Sequence, residues 1–383
     1  MIVQPLPLMG SHNSRLLSPK HSRLLYVVGQ LRHGGLERQL YYLVSSLDHT
    51  RYQPAVVVWN LNPNDKYYQD IEALKIPIYG FPTDWSPLSK LRAFRVMVRQ
   101  IAPEVIHSYS FHTNFAAYYA AQGISALAIG SVRGDFARAK AEGGVIRGAL
   151  NARWPPFHIS NNVTSADAAK RASGLFTPKH VFVVRNGLDL ERFRCADDDS
   201  EKRDYVAAVG SLFPVKRWDR LLGAVQKVKG LGAENMRVRI AGDGPLRPAL
   251  EKMAENLGIA RTIEFHGTIQ DMPSFLSGAR FLVHTSESEG CPNVVMEAMA
   301  CGLPVVAMAA GDIPYLVDDG ETGFVVRQGD EVMLAERVSR LLGDAKLCSR
   351  MGMAARVKAE REFRLQLLVS ETLTAYRAVG WKD

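Results

Sequence analysis

Short apolar strands alternate with helix-length segments along this chain, and the series runs twice. The first series has expected strands at 23–29, 55–59, 78–81, 105–107, 126–132, 157–160 and 181–184, with helices expected at 36–47 and 88–101. The pattern restarts near Asp204, with strands at 205–210, 237–242, 263–266 and 281–284 between helices at 218–229, 245–257 and 272–277. Strands separated by helices of this size require crossover connections, so each series predicts a doubly wound parallel sheet. A chain of 383 residues also exceeds one ordinary core. The division expected is a loose tail over 1–20, an N-terminal Rossmann-like domain over 21–187 and a second such domain over 188–363. A C-terminal helix at 364–383 completes it. The junction carries Asn186-Gly187-Leu188-Asp189 and, beyond it, the acidic run Asp197 to Glu201. That run reads as a solvated linker in preference to a metal site.

Chemistry concentrates in Ser286-Glu-Ser-Glu-Gly-Cys-Pro-Asn-Val-Val-Met-Glu-Ala-Met-Ala-Cys-Gly-Leu-Pro. Pro292 and Asn293 suit a helix start, Val294 begins the helix body, Gly302 suits its end and Pro304 blocks continuation. A helix start offers free N–H groups and a positive dipole end, which makes an anion site. Glu289 and Glu297 flank it, and an ionised carboxylate accepts two hydroxyls at once. Phosphate donors beside polyol acceptors suit a sugar carried on a nucleoside diphosphate. Gly290 and Cys291 lie between the first carboxylate and the helix start.

Charge sharpens this reading. The net +8 divides into +11 over residues 1–185 and −3 over 186–383. A basic first half suits an anionic partner. Nucleic acid fits poorly, because helix-turn-helix, zinc and aromatic ribonucleoprotein patterns are absent. The helix with Arg92, Arg95 and Arg99 on one face is a candidate for peripheral contact with an anionic membrane, set against an ordinary solvated face. The first twenty residues lack a basic start followed by a clean apolar stretch, so no signal peptide is expected. Cys195, Cys291, Cys301 and Cys348 have no metal-ligand spacing, which suits a reduced cytoplasmic setting.

In sequence order stand the loop Gly34-Gly35-Leu36-Glu37-Arg38, the junction Asn186 to Asp189, Lys216 in VGSLFPVKRWD, AGDGP containing Gly242, the Glu289/Glu297 pair, Gly311-Asp-Ile-Pro314 and Gly320-Glu-Thr-Gly-Phe324. In this order and spacing the chain resembles the GT-B fold glycosyltransferases of group 1, or family 4, over nearly everything after residue 22. The resemblance implies a C-terminal domain that binds a nucleotide sugar, with UDP or GDP as the carrier, and an N-terminal domain that binds the acceptor. It implies retention at the transferred sugar without a metal or other cofactor. It implies that Glu297 holds the ribose hydroxyls, that Glu289 holds those of the donor sugar, and that Gly34 and Gly35 face the acceptor or the diphosphate. Lys216, a mobile point charge after a strand, suits the departing diphosphate, where charge builds as the sugar bond breaks.

The chain departs from the family at three places. Ser211 stands where a second cation is usual, and Arg217, where glycine is usual, is the candidate to supply that charge. Arg133 replaces a histidine near the donor sugar, which suggests a permanent charge facing an acceptor phosphate or carboxylate. Tyr315 replaces a frequent glutamate. His107, ending a strand in EVIHSYSFHTN, is a further candidate for the acceptor side, because strand ends in such sheets face the ligand crevice.

The function expected is a retaining hexosyl transfer from a nucleotide sugar to a glycan or lipid-linked precursor of an envelope or exopolysaccharide. It is expected in the cytoplasm or at the inner membrane face. The alternative is a weakly catalytic sugar-nucleotide-binding scaffold subunit. A nicotinamide dehydrogenase is disfavoured because GxGxxG is absent.

Overall fold

The computed structural model describes residues 22–172, 174–195, 203–233 and 235–383. The tail 1–20 and the run Asp197 to Glu201 lie outside the described residues.

Two parallel sheets form. The first holds β1 (Ser22–Val28), β2 (Tyr52–Val58), β3 (Ile78–Gly80), β4 (Val105–Ser108), β5 (Leu127–Val132), β6 (Phe157–Ser160) and β7 (His180–Val183), ordered β3-β2-β1-β4-β5-β6-β7. The second holds β8 (Tyr205–Val209), β9 (Val238–Ala241), β10 (Ile263–Gly267), β11 (Ala279–His284), β12 (Val305–Met308) and β13 (Gly323–Val326), ordered β10-β9-β8-β11-β12-β13. The doubly wound fold read from the strand–helix alternation is therefore the observed one. Both faces of each sheet are covered, so central strands are near-continuous apolar runs, as in Leu24-Leu25-Tyr26-Val27-Val28. Separate cores lie above and below each sheet.

Strand order reverses between β1 and β4 in one sheet and between β8 and β11 in the other. At such a point neighbouring loops leave in opposite directions and open a crevice at the carboxyl ends of the strands. The loops after β1, β8 and β11 all open into one space between the domains.

The chain crosses between domains twice, side by side. The outgoing strand at Leu188 bridges the returning one at Arg364, and Leu188 N donates to Phe363 O over 2.7 Å. The final helix, Leu365–Ala378, then lies on the N-terminal domain beside helix Gly35–Ser46. Its Leu368, Leu373 and Tyr376 join the core of that domain with Trp381.

His107 sits beneath this helix. β4 continues through Ser108, so His107 is inside the strand, not at its end. Its Nδ1 lies 2.7 Å from the Tyr376 hydroxyl and its Nε2 3.0 Å from Ser131 Oγ. Burial, with Arg133 nearby, pushes its pKa well below the usual range and keeps the ring neutral. The acceptor-side role expected for His107 is corrected here, since the residue is sealed in the core and holds the C-terminal helix in place. Tyr376→Ala is expected to cost about 3–5 kcal/mol by leaving a cavity and a buried His107 Nδ1 without its partner. Urea denaturation with an unchanged midpoint would contradict this.

Candidate active site between the domains

The interdomain cavity measures about 930 Å³ and draws its walls from both domains. The C-terminal wall is the Glu289 to Val294 loop with Glu297, joined by Gly210, Ser211 and Lys216 after β8. The N-terminal wall carries Gly34, Gly35, Arg38 and Arg133.

The loop after β11 turns into helix Asn293–Ala300, whose cap residue Pro292 makes no side-chain hydrogen bond to it. Asn293 and Val294, its first two residues, line the cavity, and Val295 N donates to Pro292 O at 3.2 Å. Helix Gly35–Ser46 opens from Gly34 in the same way. The two helix starts touch, as Asn293 Nδ2 lies 3.4 Å from Gly35 O, and a Cβ on Gly35 would stand only 2.7 Å from that nitrogen. Glycine is required there for close approach.

Glu289 is the centre of the site. Its Oε1 accepts from Lys216 Nζ at 2.6 Å and contacts His284 Nε2 at 3.0 Å. Burial works to raise its pKa, but the His284 contact and the Lys216 ammonium outweigh burial and hold the carboxyl well below the usual carboxylate range. Glu289 thus stays ionised and remains an acceptor. His284 ends β11, five residues before Glu289 in the sequence. Its place at a strand end was the signal available in the sequence.

Glu297, one turn into the helix and almost fully buried, forms an ion pair with Arg38 of the opposite domain. Burial opposes the Arg38 charge, and Glu297 restores it. A chain of amides supports this wall. Asn186 Nδ2 donates to Asn293 Oδ1 at 2.8 Å and to Cys291 O at 3.2 Å, while Gln39 Nε2 donates to Gly187 O at 2.8 Å. Asp312 closes the far side by accepting from the N–H groups of Val163 and Thr164, at 3.0 and 3.1 Å, where helix Val163–Arg171 begins in the N-terminal domain.

Arg133 lines the cavity on the N-terminal side. Its guanidinium lies 3.5 Å from the centre of the Tyr109 ring. Nε and Nη1 are shielded from solvent and have no hydrogen-bond partner among the described residues. Burial depresses its pKa, with Tyr109 opposing, yet an arginine at this depth keeps its charge. A buried fork of donors without an acceptor is costly unless a ligand supplies one.

Two candidates stand elsewhere. Arg217 does not line the cavity. It adopts a left-handed φ of 50°, the conformation in which glycine is at ease, and its guanidinium is taken by Asp219 at 2.8 Å and Glu287 at 3.3 Å. The charge expected from it at the Ser211 position is therefore turned away. Gly242 also stays off the cavity wall, in a bridge with Gly267, and a Cβ there would meet Gly210 O at 1.9 Å. Its service is to let the wall loop at Gly210 pass. Tyr315 is likewise absent from the wall, with 43% of its surface exposed. Tyr41, Tyr42, Tyr67, Ile269 and Met272 do line it, and no motif pointed to them. Their positions depend on how the two domains meet.

The cavity wall carries five cations (Arg38, Lys66, Arg133, Arg192 and Lys216) against three carboxylates (Asp70, Glu289 and Glu297). This balance favours a multiply charged anion beside a polyol. Residues 191–358 match the family model described as Glycosyl transferases group 1. The C-terminal domain is thus similar to the group 1 glycosyltransferases, and the pair of facing domains has the GT-B fold. Over 201 residues the chain is 29% identical to N-acetyl-alpha-D-glucosaminyl L-malate synthase of Bacillus anthracis, covering 52% of this chain and 51% of that protein. Over 223 residues it is 33% identical to D-inositol 3-phosphate glycosyltransferase of Streptomyces bingchenggensis, covering 53% and 49%. The chain thus spans about half the length of the curated relatives it matches. In fold it is similar to HepE from Anabaena in complex with UDP, with a TM-score of 0.80 at 18% identity over 93% of this chain and 100% of the other.

Proposed function

We propose that the protein transfers a sugar from a nucleotide-sugar donor to a hydroxyl acceptor with retention of configuration. The supporting observation is that Lys216 and Glu289, with His284 buried against Glu289, share one cavity with Glu297 and a helix start that its cap side chain leaves unbonded. In this reading the diphosphate lies against the helix start and Lys216, Glu297 takes the ribose and Glu289 takes the donor sugar. The bond from the anomeric carbon to the diphosphate oxygen breaks, and the acceptor oxygen bonds to that carbon on the same face. The departing phosphate oxygen receives the acceptor proton, so no protein nucleophile is required. UDP is the first carrier to test, because the similar Anabaena protein holds it, and GDP the second. No cofactor beyond the donor enters the scheme.

The acceptor lies on the Arg133 side. Its anion would fill the empty guanidinium fork, and two relatives are named for a phosphate-bearing and a carboxylate-bearing molecule. A glycan or lipid-linked precursor of an envelope polysaccharide with a phosphate near its reacting hydroxyl meets the same requirement. Arg133→Ala is expected to raise the acceptor KM roughly 10- to 100-fold, the worth of a charged hydrogen bond, with donor affinity nearly unchanged. Loss of donor affinity instead would overturn this placement.

Purified protein incubated with UDP- and GDP-sugars and a panel of phosphorylated and plain glycans tests the reading. Nucleoside diphosphate release with product of the donor's anomeric configuration supports it, and a trapped glycosyl–protein adduct contradicts the mechanism. The turned-away Arg217 and the uncharged Ser211 favour one rival, a scaffold that binds the donor without turnover. Measurable donor binding with no transfer to any acceptor would select that rival.

A further inference from the structure

One surface of the N-terminal domain combines exposed apolar side chains with unneutralised positive charge. Val145 and Ile146, at the start of helix Val145–Arg153, are 91% and 74% exposed, and Leu175 and Phe176, in the loop before β7, are 77% and 40% exposed. Lys140 brings the two segments together. Its Nζ donates to Phe176 O at 3.1 Å, and its carbonyl packs on Gly148, where a Cβ would stand 1.9 Å away. Residues 136–180 contain seven Lys/Arg and two Asp/Glu. Arg147, Arg171 and Lys179 are exposed there, and both carboxylates already pair locally, Glu142 with Arg138 and Asp167 with Lys170. The charge left over is positive even with Asp135, which caps helix Phe136–Glu142, and Lys140 and Arg147 stand directly beside the apolar tips, at Phe176 and next to Ile146. Long apolar chains projecting from a cationic rim match the interface of an anionic bilayer, where the tips enter the acyl boundary and the cations meet head groups.

The helix with Arg92, Arg95 and Arg99, the membrane candidate from the sequence, is less suited. Arg95 is turned onto the Tyr119 ring at 4.8 Å and donates to Gln122 O at 3.2 Å, which breaks its basic face. The Val145/Phe176 surface is joined to the cleft wall through the helix that carries Lys140. Helix Phe136–Glu142, which carries Lys140, begins just after Arg133, and Gly134 O accepts from Ser165 Oγ of the neighbouring helix.

We infer that the surface formed by Val145, Ile146, Leu175 and Phe176 with Lys140, Arg147 and Lys179 seats the protein on an anionic membrane, with the Arg133 side of the cleft toward the lipid. A membrane-embedded acceptor then reaches the cavity without leaving the bilayer. This seat is independent of the transfer chemistry, so either reading can fail alone.

Cosedimentation of the full chain with vesicles of phosphatidylcholine, with and without phosphatidylglycerol, tests it. The wild type is expected to bind only the anionic vesicles and to release in high salt. Two variants are compared, Val145→Ser/Ile146→Ser/Leu175→Ser/Phe176→Ser and Arg147→Glu/Lys179→Glu. All six positions are solvent-exposed and outside the cavity wall, so folding and nucleoside diphosphate binding should stay unchanged, as read by thermal shift. Each variant is expected to lose vesicle affinity at least about tenfold, since each surface cation contributes roughly fivefold. Wild-type indifference to anionic vesicles, or equal binding by both variants, overturns the inference. Self-association of the wild type that the apolar variant abolishes, without any vesicle binding, assigns the surface to a protein contact and overturns it too.

Discussion

Glu297→Ala is expected to lower donor affinity by more than about 100-fold, the scale of two charge-assisted hydrogen bonds lost together. The same change should also destabilise the fold. Glu297 is nearly buried and forms an ion pair with Arg38, whose Nε already has no partner among the described residues. Removing one member of a buried pair strands the other charge, at a cost of about 3–5 kcal/mol. The double variant Arg38→Ala/Glu297→Ala separates the two effects. Stability should recover in large part, because no charge is left unpaired, while donor affinity stays lost because the hydroxyl acceptor is gone. Calorimetry that finds unchanged affinity in Glu297→Ala would remove Glu297 from the donor site. The Arg38 contact adds a consequence for the wild type, since a ribose that takes Glu297 must share it with or displace the guanidinium. Arg38→Ala alone should therefore weaken the protein but leave donor affinity equal or tighter.

Lys216→Ala is expected to reduce kcat about 100- to 1000-fold, the loss seen when one preorganised charge is removed from a developing anion. Affinity for the free nucleoside diphosphate should fall far less. The ammonium is fixed 2.6 Å from Glu289, so it is held in place before charge develops and little reorganisation remains. Lys216→Arg should recover only part of the rate, because a planar fork does not reproduce a point charge at the same distance from Glu289 and the phosphate. Equal kcat in Lys216→Ala and wild type, with weakened diphosphate binding, would reduce Lys216 to a binding residue.

The parts of the site legible in the sequence are those encoded locally. Gly290 to Val294 can be read as a helix start because Pro292, Asn293 and the apolar body after them suffice for it. The spacing that sets Glu289 before the helix and Glu297 one turn into it is likewise a property of consecutive residues. The structure departs from the sequence reading where a particular partner, far in sequence or near, decides where a side chain goes. His107 was assigned to the crevice, but the Tyr376 hydroxyl, 269 positions away, holds it in the core. Arg217 reads as a spare cation, yet Asp219, two positions on, and Glu287 take its guanidinium.

The alternation of apolar strands and helices, repeated from Asp204, was enough to determine two doubly wound parallel domains, because each strand and helix follows from short-range periodicity and crossover connections must follow it. How those domains face each other was decided by tertiary contacts alone. Arg38 meets Glu297 across 259 positions, Asn186 meets Asn293 across 107 and Asp312 meets Val163 across 149. Contacts at such separations leave no periodic trace in either segment, since each residue's local conformation is the same whether or not its partner is present.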